Sequence, residues 1–311
     1  MDVYPGKTAS PRGGILTMGV FDGVHKGHQL LLNICAEWAA QLNTFTEVWL
    51  FHPHPRTVLR GENVPMLTTI EERFALLQNG GTTVVRLIPF TTALSRLSAE
   101  AFITEWIKAV SDPQGVVLGY DHRFGYNREG GPTLLREKGF MVKEVQALEW
   151  EGAPVSSSRV RRLLAEGAVQ AAKILLGYPF SIRGTVRAGR QEARRLGVPT
   201  ANIPYPAEKI RLPPGIYIGW TQIAPAVSLP ITKGLPSLIY LPPVGDLEIH
   251  LLGEKQDESL YGVDLAVGII QFIRPHKEFD SSYALLQQIH EDVAEALRYF
   301  SSPDLLDSQI G

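Results

Sequence analysis

The sequence predicts an α/β domain built on a parallel sheet, followed by a small β-barrel or sandwich closed by a helix. Three observations predict it. In the first half, strand-like and helix-like segments alternate, a rhythm that places helices on both faces of a parallel sheet. After Gly177, short β-like segments alternate with Pro and Gly, the spacing of a compact all-β unit. The chain then ends on a long amphipathic run. We place the division there, giving domains 1–176 and 177–311, and 311 residues suffice for two domains.

Each element has a local reason. Ile15 to Val20 is a short apolar run entering a glycine-rich turn. Leu31, Ile34, Cys35, Trp38, Ala39 and Leu42 recur at helical spacing on one face. Glu47 to Phe51 is a second strand, stopped by His52-Pro53-His54-Pro55, where two prolines remove ladder donors. Thr68 or Thr69, followed by Glu71 and Glu72, starts a capped helix running to Leu77. Val84 to Ile88 is a strand, Ala99 to Val110 a helix, and Gly115 to Leu118 a strand. Arg159 to Leu176 is helical with an interruption at Gly167. Beyond Gly177 the strands are Ser181 to Val186, Ile216 to Ile223, Leu238 to Leu241, Leu247 to Leu252 and Leu265 to Ile273. In the closing helix Leu286, Ile289, Val293, Ala296, Leu297 and Phe300 share a face.

Composition narrows the function classes. Hydrophobic residues make up 44% and charged residues 20%, the mixture of an ordinary globular chain. A formal charge of -2 gives no global attraction to nucleic acid or anionic lipid, so phosphate chemistry must come from local groups. Cys35 is the single cysteine, which leaves no intrachain disulfide and fits a reducing compartment. The polar, Pro/Gly-rich start is unlike a signal peptide, and no apolar run reaches the ~18 residues of a membrane helix. A cytoplasmic protein acting on neither membrane nor nucleic acid is expected.

The stretch Gly19-Val20-Phe21-Asp22-Gly23-Val24-His25-Lys26-Gly27-His28 has the chemistry of a phosphate site between a strand and a helix. Gly19, Gly23 and Gly27 let backbone approach a ligand. A helix starting near Gly27 aims its free N–H groups and positive dipole end forward. His25 and His28, one turn apart, can donate to phosphate oxygens. A His-x-x-His pair alone equally suits a metal pair or two surface residues; the flanking glycines, strand and helix favour phosphate.

These residues carry a resemblance. Gly-x-Phe-Asp-Gly-x-His-x-Gly-His resembles the signature of the nucleotidylyltransferase superfamily. The whole chain resembles the prokaryotic bifunctional riboflavin kinase/FAD synthetase family. Phe51-His52-Pro53-His54-Pro55 is similar to the family's Phe-x-Pro-His-Pro, and Gly119 to Gly125 to its Gly-x-Asp/Asn-Phe-x-Phe-Gly. Ser156-Ser157-Ser158-Arg159-Val160-Arg161 resembles its Ser-Ser-Thr-x-x-Arg. The resemblance implies a Rossmann-like nucleotidyltransferase domain that transfers AMP from ATP to FMN. It implies that His25 and His28 bind the ATP phosphates and stabilise the transition state. Gly19, Phe21, Asp22 and Gly27 would form the nucleotide-binding turn, and Asp121 would lie beside the nucleotide or flavin phosphate. Ser157, Ser158 and Arg161 would clamp the triphosphate, with Mg²⁺ bridging it. On the residues alone, Asp121 is as readily a turn former, and Phe21 and Phe124 suit packing better than ligand contact.

The second half resembles a riboflavin kinase barrel. Leu196-Gly197-Val198-Pro199-Thr200-Ala201-Asn202 matches the family's Leu-Gly-Phe-Pro-Thr-Ala-Asn, which makes Thr200 and Asn202 the expected metal ligands. Leu247-Glu248-Ile249-His250 puts Glu248 where the family carries the base for the ribityl 5′-hydroxyl. Without the resemblance, Glu248 is a half-exposed strand carboxylate, and Thr200 and Asn202 are turn formers. Three departures stand out. A flap glycine is replaced by Ala193, Leu235 to Ile239 replaces an Asn-Ile-Gly…Pro-Thr segment, and Gly253 stands where an aspartate is usual. They set up an alternative, an adenylyltransferase whose barrel is inactive or only holds flavin.

Overall fold

The computed structural model describes residues 1–189, 197–223, 229–253 and 260–302. The expected positions Ala193 and Leu196 lie outside these. By contact the chain divides into two compact units, Met1–Ser157 and Ser158–Gly311.

The first unit runs β1 (Asp2–Pro5), β2 (Ile15–Gly19), α1 (Lys26–Gln41), β3 (Thr46–His52), α2 (Pro55–Arg60), α3 (Ile70–Asn79), β4 (Val84–Pro89), α4 (Thr92–Ser95) and α5 (Ala99–Phe102). A π-helix (Ile103–Ser111), β5 (Gly115–Gly119), α6 (Pro132–Glu137), β6 (Met141–Val145) and the small pair β7 (Glu149–Trp150) and β8 (Ala153–Pro154) complete it. Six strands lie parallel in the order β1-β4-β3-β2-β5-β6. The chain leaves β2 toward β3 on one side and later returns to place β5 on the other. That reversal opens a crevice at the carboxyl ends of β2 and β5, where ligands bind in open α/β sheets.

Burial on both faces explains the near-continuous apolar strands. Leu31, Leu32, Cys35, Trp38 and Ala39 of α1 are buried, and α1 packs over β2, β3 and β5. Gly115 is required there, because a Cβ would come within 2.5 Å of the Trp38 ring. A cluster around Leu16, Trp49, Phe102, Ile107, Leu118 and Phe124 fills another part of the core.

Several expectations shift. The helix expected over Ala99 to Val110 becomes one α turn and then a π-helix. Its wider turn keeps Ile103, Ile107 and Ser111, each four apart, on the buried side. The Ser111 hydroxyl there donates to Glu47 Oε1 at 2.8 Å. Strand β1 is only four residues long and mostly exposed, too short to show a period in the sequence. Its pairing with Val84 to Leu87 holds it, and the buried Arg86 donates to the Gly6 and Thr8 carbonyls just beyond. Strand β6 is a mostly exposed edge, so its Lys and Glu hide its period.

The second unit holds α7 (Ser157–Ala165, whose first residue falls in the first unit), α8 (Val169–Leu176), β9 (Phe180–Thr185), β10 (Ala201–Ile203), β11 (Gly215–Ile223) and β12 (Leu235–Leu241). It ends with β13 (Leu247–Leu251), β14 (Asp264–Pro275) and α9 (Ser282–Phe300). Gly177 caps α8 in the left-handed conformation, at φ 83°. The antiparallel order is β10-β13-β12-β11-β14-β9. The two end strands meet just past β9, where the Arg187 N–H donates to the Asn202 carbonyl at 2.9 Å, so the sheet curls into a nearly closed barrel. In α9, Ala296 is fully buried, and Val293 and Phe300 pack on Ile216, Ile218 and Leu238. Leu297, expected on that face, is 45% exposed. Asp292 takes the buried place instead, paired with Arg274.

Candidate functional site

The turn after β2 stands at the crevice mouth, and its residues are tied down from two directions. Asp22 is buried. Its carboxylate accepts the Leu67 N–H at 3.0 Å, the Thr68 N–H at 3.1 Å and the Thr68 hydroxyl at 3.0 Å. The Thr68 oxygen also accepts the Gly23 N–H and the Arg73 Nε–H, each at 3.1 Å. Arg73, itself buried, donates to the Val20 and Thr68 carbonyls and lies 3.7 Å from Asp22. Phe21 (φ 50°) and Val24 (φ 32°) adopt left-handed backbone that side chains resist, and this buried lattice holds them there. On the other side, the Ser157 hydroxyl donates to the Asp22 carbonyl at 2.8 Å.

His25 caps α1. Its Nδ1 accepts the His28 N–H at 3.3 Å, so in the neutral ring the hydrogen sits on Nε2. The two imidazoles stack with centroids 3.7 Å apart, and Phe21 lies 4.9 Å from His28. Burial, then the His25 charge and then Arg73 hold the His28 pKa well below the usual histidine range. Its Nδ1 is buried without a hydrogen-bond partner among the described residues. Gly27 packs closely, for a Cβ there would come 3.2 Å from the His25 ring and press on it, and 3.5 Å from the Val155 carbonyl. A Cβ on Gly19 would come 3.2 Å from the Phe21 ring.

The loop after β5 lies at the end of the strand beside β2. Asp121 is exposed, while Phe124 is buried against Phe102. Burial, partly countered by Asp121, lowers the His122 pKa to about 4, and its Nε2 has no partner among the described residues. Ser158 and Arg161 follow Ser157 on α7.

In the barrel, Asn202 and Glu248 face each other across the β10–β13 pair, which puts both side chains on one face. Thr200, Glu248 and His250 line a cavity of about 660 Å³, together with Tyr240, Arg274 and residues around the start of α9. Gly189 packs directly on the Asn202 carboxamide, for a Cβ there would stand 2.3 Å from its Cγ. Sequence reasoning missed the site roles of Thr68, Arg73 and Asp292. None carries a motif, and each acquires its role only when distant segments meet.

Residues 7–159 match the family model for FAD synthetase, and residues 176–300 the model for riboflavin kinase. The bifunctional riboflavin kinase/FMN adenylyltransferase of Pseudomonas fluorescens is 35% identical over 92% of each chain. That of Escherichia coli K12 is 32% identical over 94% of each. A crystal structure titled as a macrolide-efflux protein from Streptococcus pneumoniae superposes with a TM-score of 0.84 at 26% identity, covering 94% of this chain and 97% of that one. No helix among the described residues is long and apolar enough to cross a membrane. Two family models in series, and relatives matched almost end to end, place this chain in the bifunctional riboflavin kinase/FMN adenylyltransferase family.

Proposed function

We propose that the first unit transfers AMP from ATP to FMN and that the second phosphorylates riboflavin. The observation that carries the first reading is the His25–His28 stack capping α1 at the crevice between β2 and β5. An FMN phosphate oxygen attacks the α-phosphorus of ATP, and the bond to the β-phosphate oxygen breaks to release pyrophosphate. Such a step needs positioning and charge stabilisation rather than a covalent nucleophile. His25 offers its Nε2–H, and His28, which burial keeps toward the neutral form in the free protein, offers a second hydrogen-bond donor. Asp22 serves by fixing the turn, since its carboxylate is spent on Leu67, Thr68 and Arg73. Gly19 and Gly27 keep the turn close to the ligand, Phe21 supports the His28 ring, and Asp121 would lie beside the nucleotide or flavin phosphate. The resemblance alone carries Ser158 and Arg161 as triphosphate ligands beside Ser157.

In the barrel, Glu248 takes the proton of the ribityl 5′-hydroxyl as that oxygen attacks the γ-phosphorus and ADP leaves. Thr200 and Asn202 offer hard neutral oxygens, which suit a Mg²⁺ that draws most of its ligands from phosphate and water. When bound it spreads the polyphosphate charge. The second family model supports the bifunctional reading over a barrel that only holds flavin. Small-molecule substrates and a cytoplasmic location complete the proposal.

The test is paired. Purified full-length protein is given Mg-ATP with riboflavin, or with FMN, and the flavins are separated. FMN and FAD should form in the first reaction and FAD in the second. FAD from FMN with no product from riboflavin would remove the kinase half. His28→Ala should lower adenylyl transfer about 10²- to 10³-fold and leave riboflavin phosphorylation unchanged.

A further inference from the structure

We infer that His250 is a positioning residue for riboflavin phosphorylation, locking the Pro199–Thr200 segment to the strand that carries Glu248. The inference rests on the kinase reading above. His250 and Glu248 are two apart on β13, hence on one face, and both line the cavity with Thr200. The backbone ladder between β10 and β13 spans only Ala201 to Ile203. Just before that ladder begins, His250 Nδ1 lies 2.9 Å from the Pro199 carbonyl oxygen. A carbonyl only accepts, so Nδ1 carries the hydrogen, and in the neutral ring Nε2 is a bare acceptor. The side chain thereby continues the ladder by one contact. It fixes the residue next to Thr200 against the residue two along from Glu248. Thr200 and Glu248 serve opposite ends of one transfer, the phosphate and the attacking hydroxyl, so their separation must be held tightly.

Two measurements on the full chain test this. The first needs no turnover: ¹⁵N spectra of the imidazoles, with His250 assigned by its loss in His250→Asn and the pH raised until the ring is neutral, should show Nδ1 protonated and Nε2 bare. The second compares variants. Asn places an N–H close to the position of Nδ1 and should keep kcat for riboflavin phosphorylation within about threefold, whereas His250→Ala should lose about 10- to 100-fold. FAD formation from FMN should be unchanged in both, which reports that the first unit is folded, and an unchanged thermal transition of the second unit reports that the barrel is folded. A hydrogen on Nε2 instead, an Asn variant as slow as Ala, or an Ala variant as fast as the parent would each overturn the assignment. Absence of riboflavin phosphorylation in the parent protein would instead fail the kinase reading itself, and the spectra would still report the tether.

Discussion

Substituting Asp22→Asn separates a strut from a ligand. The carboxylate accepts hydrogen bonds from two backbone N–H groups and one hydroxyl, and it faces the Arg73 guanidinium at 3.7 Å. Asparagine keeps one acceptor oxygen but turns an NH₂ toward groups that also donate. Losing a charge-assisted bond costs about 1.5–3 kcal/mol, and stranding a buried partner charge costs about 3–5 kcal/mol. Arg73 keeps its bonds to the Val20 carbonyl and to Thr68, so the smaller part of that range applies. We expect a loss of about 3 kcal/mol, which for a unit of this size lowers Tm by about 6–12 °C. Calorimetry of the full chain should show the drop in the first unit's transition, with adenylyl transfer falling and riboflavin phosphorylation intact below that transition. A Tm within about 2 °C of the parent, together with a hundredfold loss of adenylyl transfer, would refute the strut and put Asp22 on the nucleotide.

Other expectations follow from the same geometry. Gly189→Ala drives a Cβ to 2.3 Å from Asn202 Cγ, so riboflavin phosphorylation should fall at least about tenfold while FAD formation from FMN is untouched, measured by separate initial rates. Glu248→Gln should cost about 10²- to 10⁴-fold in the same kinase assay with riboflavin KM little changed. His122 is held neutral to about pH 4, whereas in the unfolded chain it titrates near ~6.5. The unfolded state therefore binds the proton first. Stability from this group is full above that higher pH and is lost as pH falls toward 4, by up to about 3 kcal/mol. His122→Phe should flatten the fall in Tm between pH 6.5 and 4, and an unchanged slope there would remove His122 as the cause.

The sequence by itself determined the elements whose cause is local. The period of Leu31 to Trp38 makes α1, and Thr69 with Glu72 forms the capping box that starts α3. The Gly19 to His28 turn announced its strand, its glycines and its helix because the needed backbone freedom and cap are encoded within ten residues. Only the tertiary structure decided what those residues do to each other. Nothing local pairs Asp22 with Thr68 across 46 positions, turns the Asp22 carboxylate inward, or lowers the His28 pKa by burial beside His25. Likewise the short, mostly exposed Asp2–Pro5 becomes a strand because β4 supplies its partner. Asp292, not Leu297, faces the barrel because Arg274 awaits it there. Periodicity records which side chains avoid water, whereas desolvated charge and hydrogen-bond partners depend on segments that meet only in the folded chain.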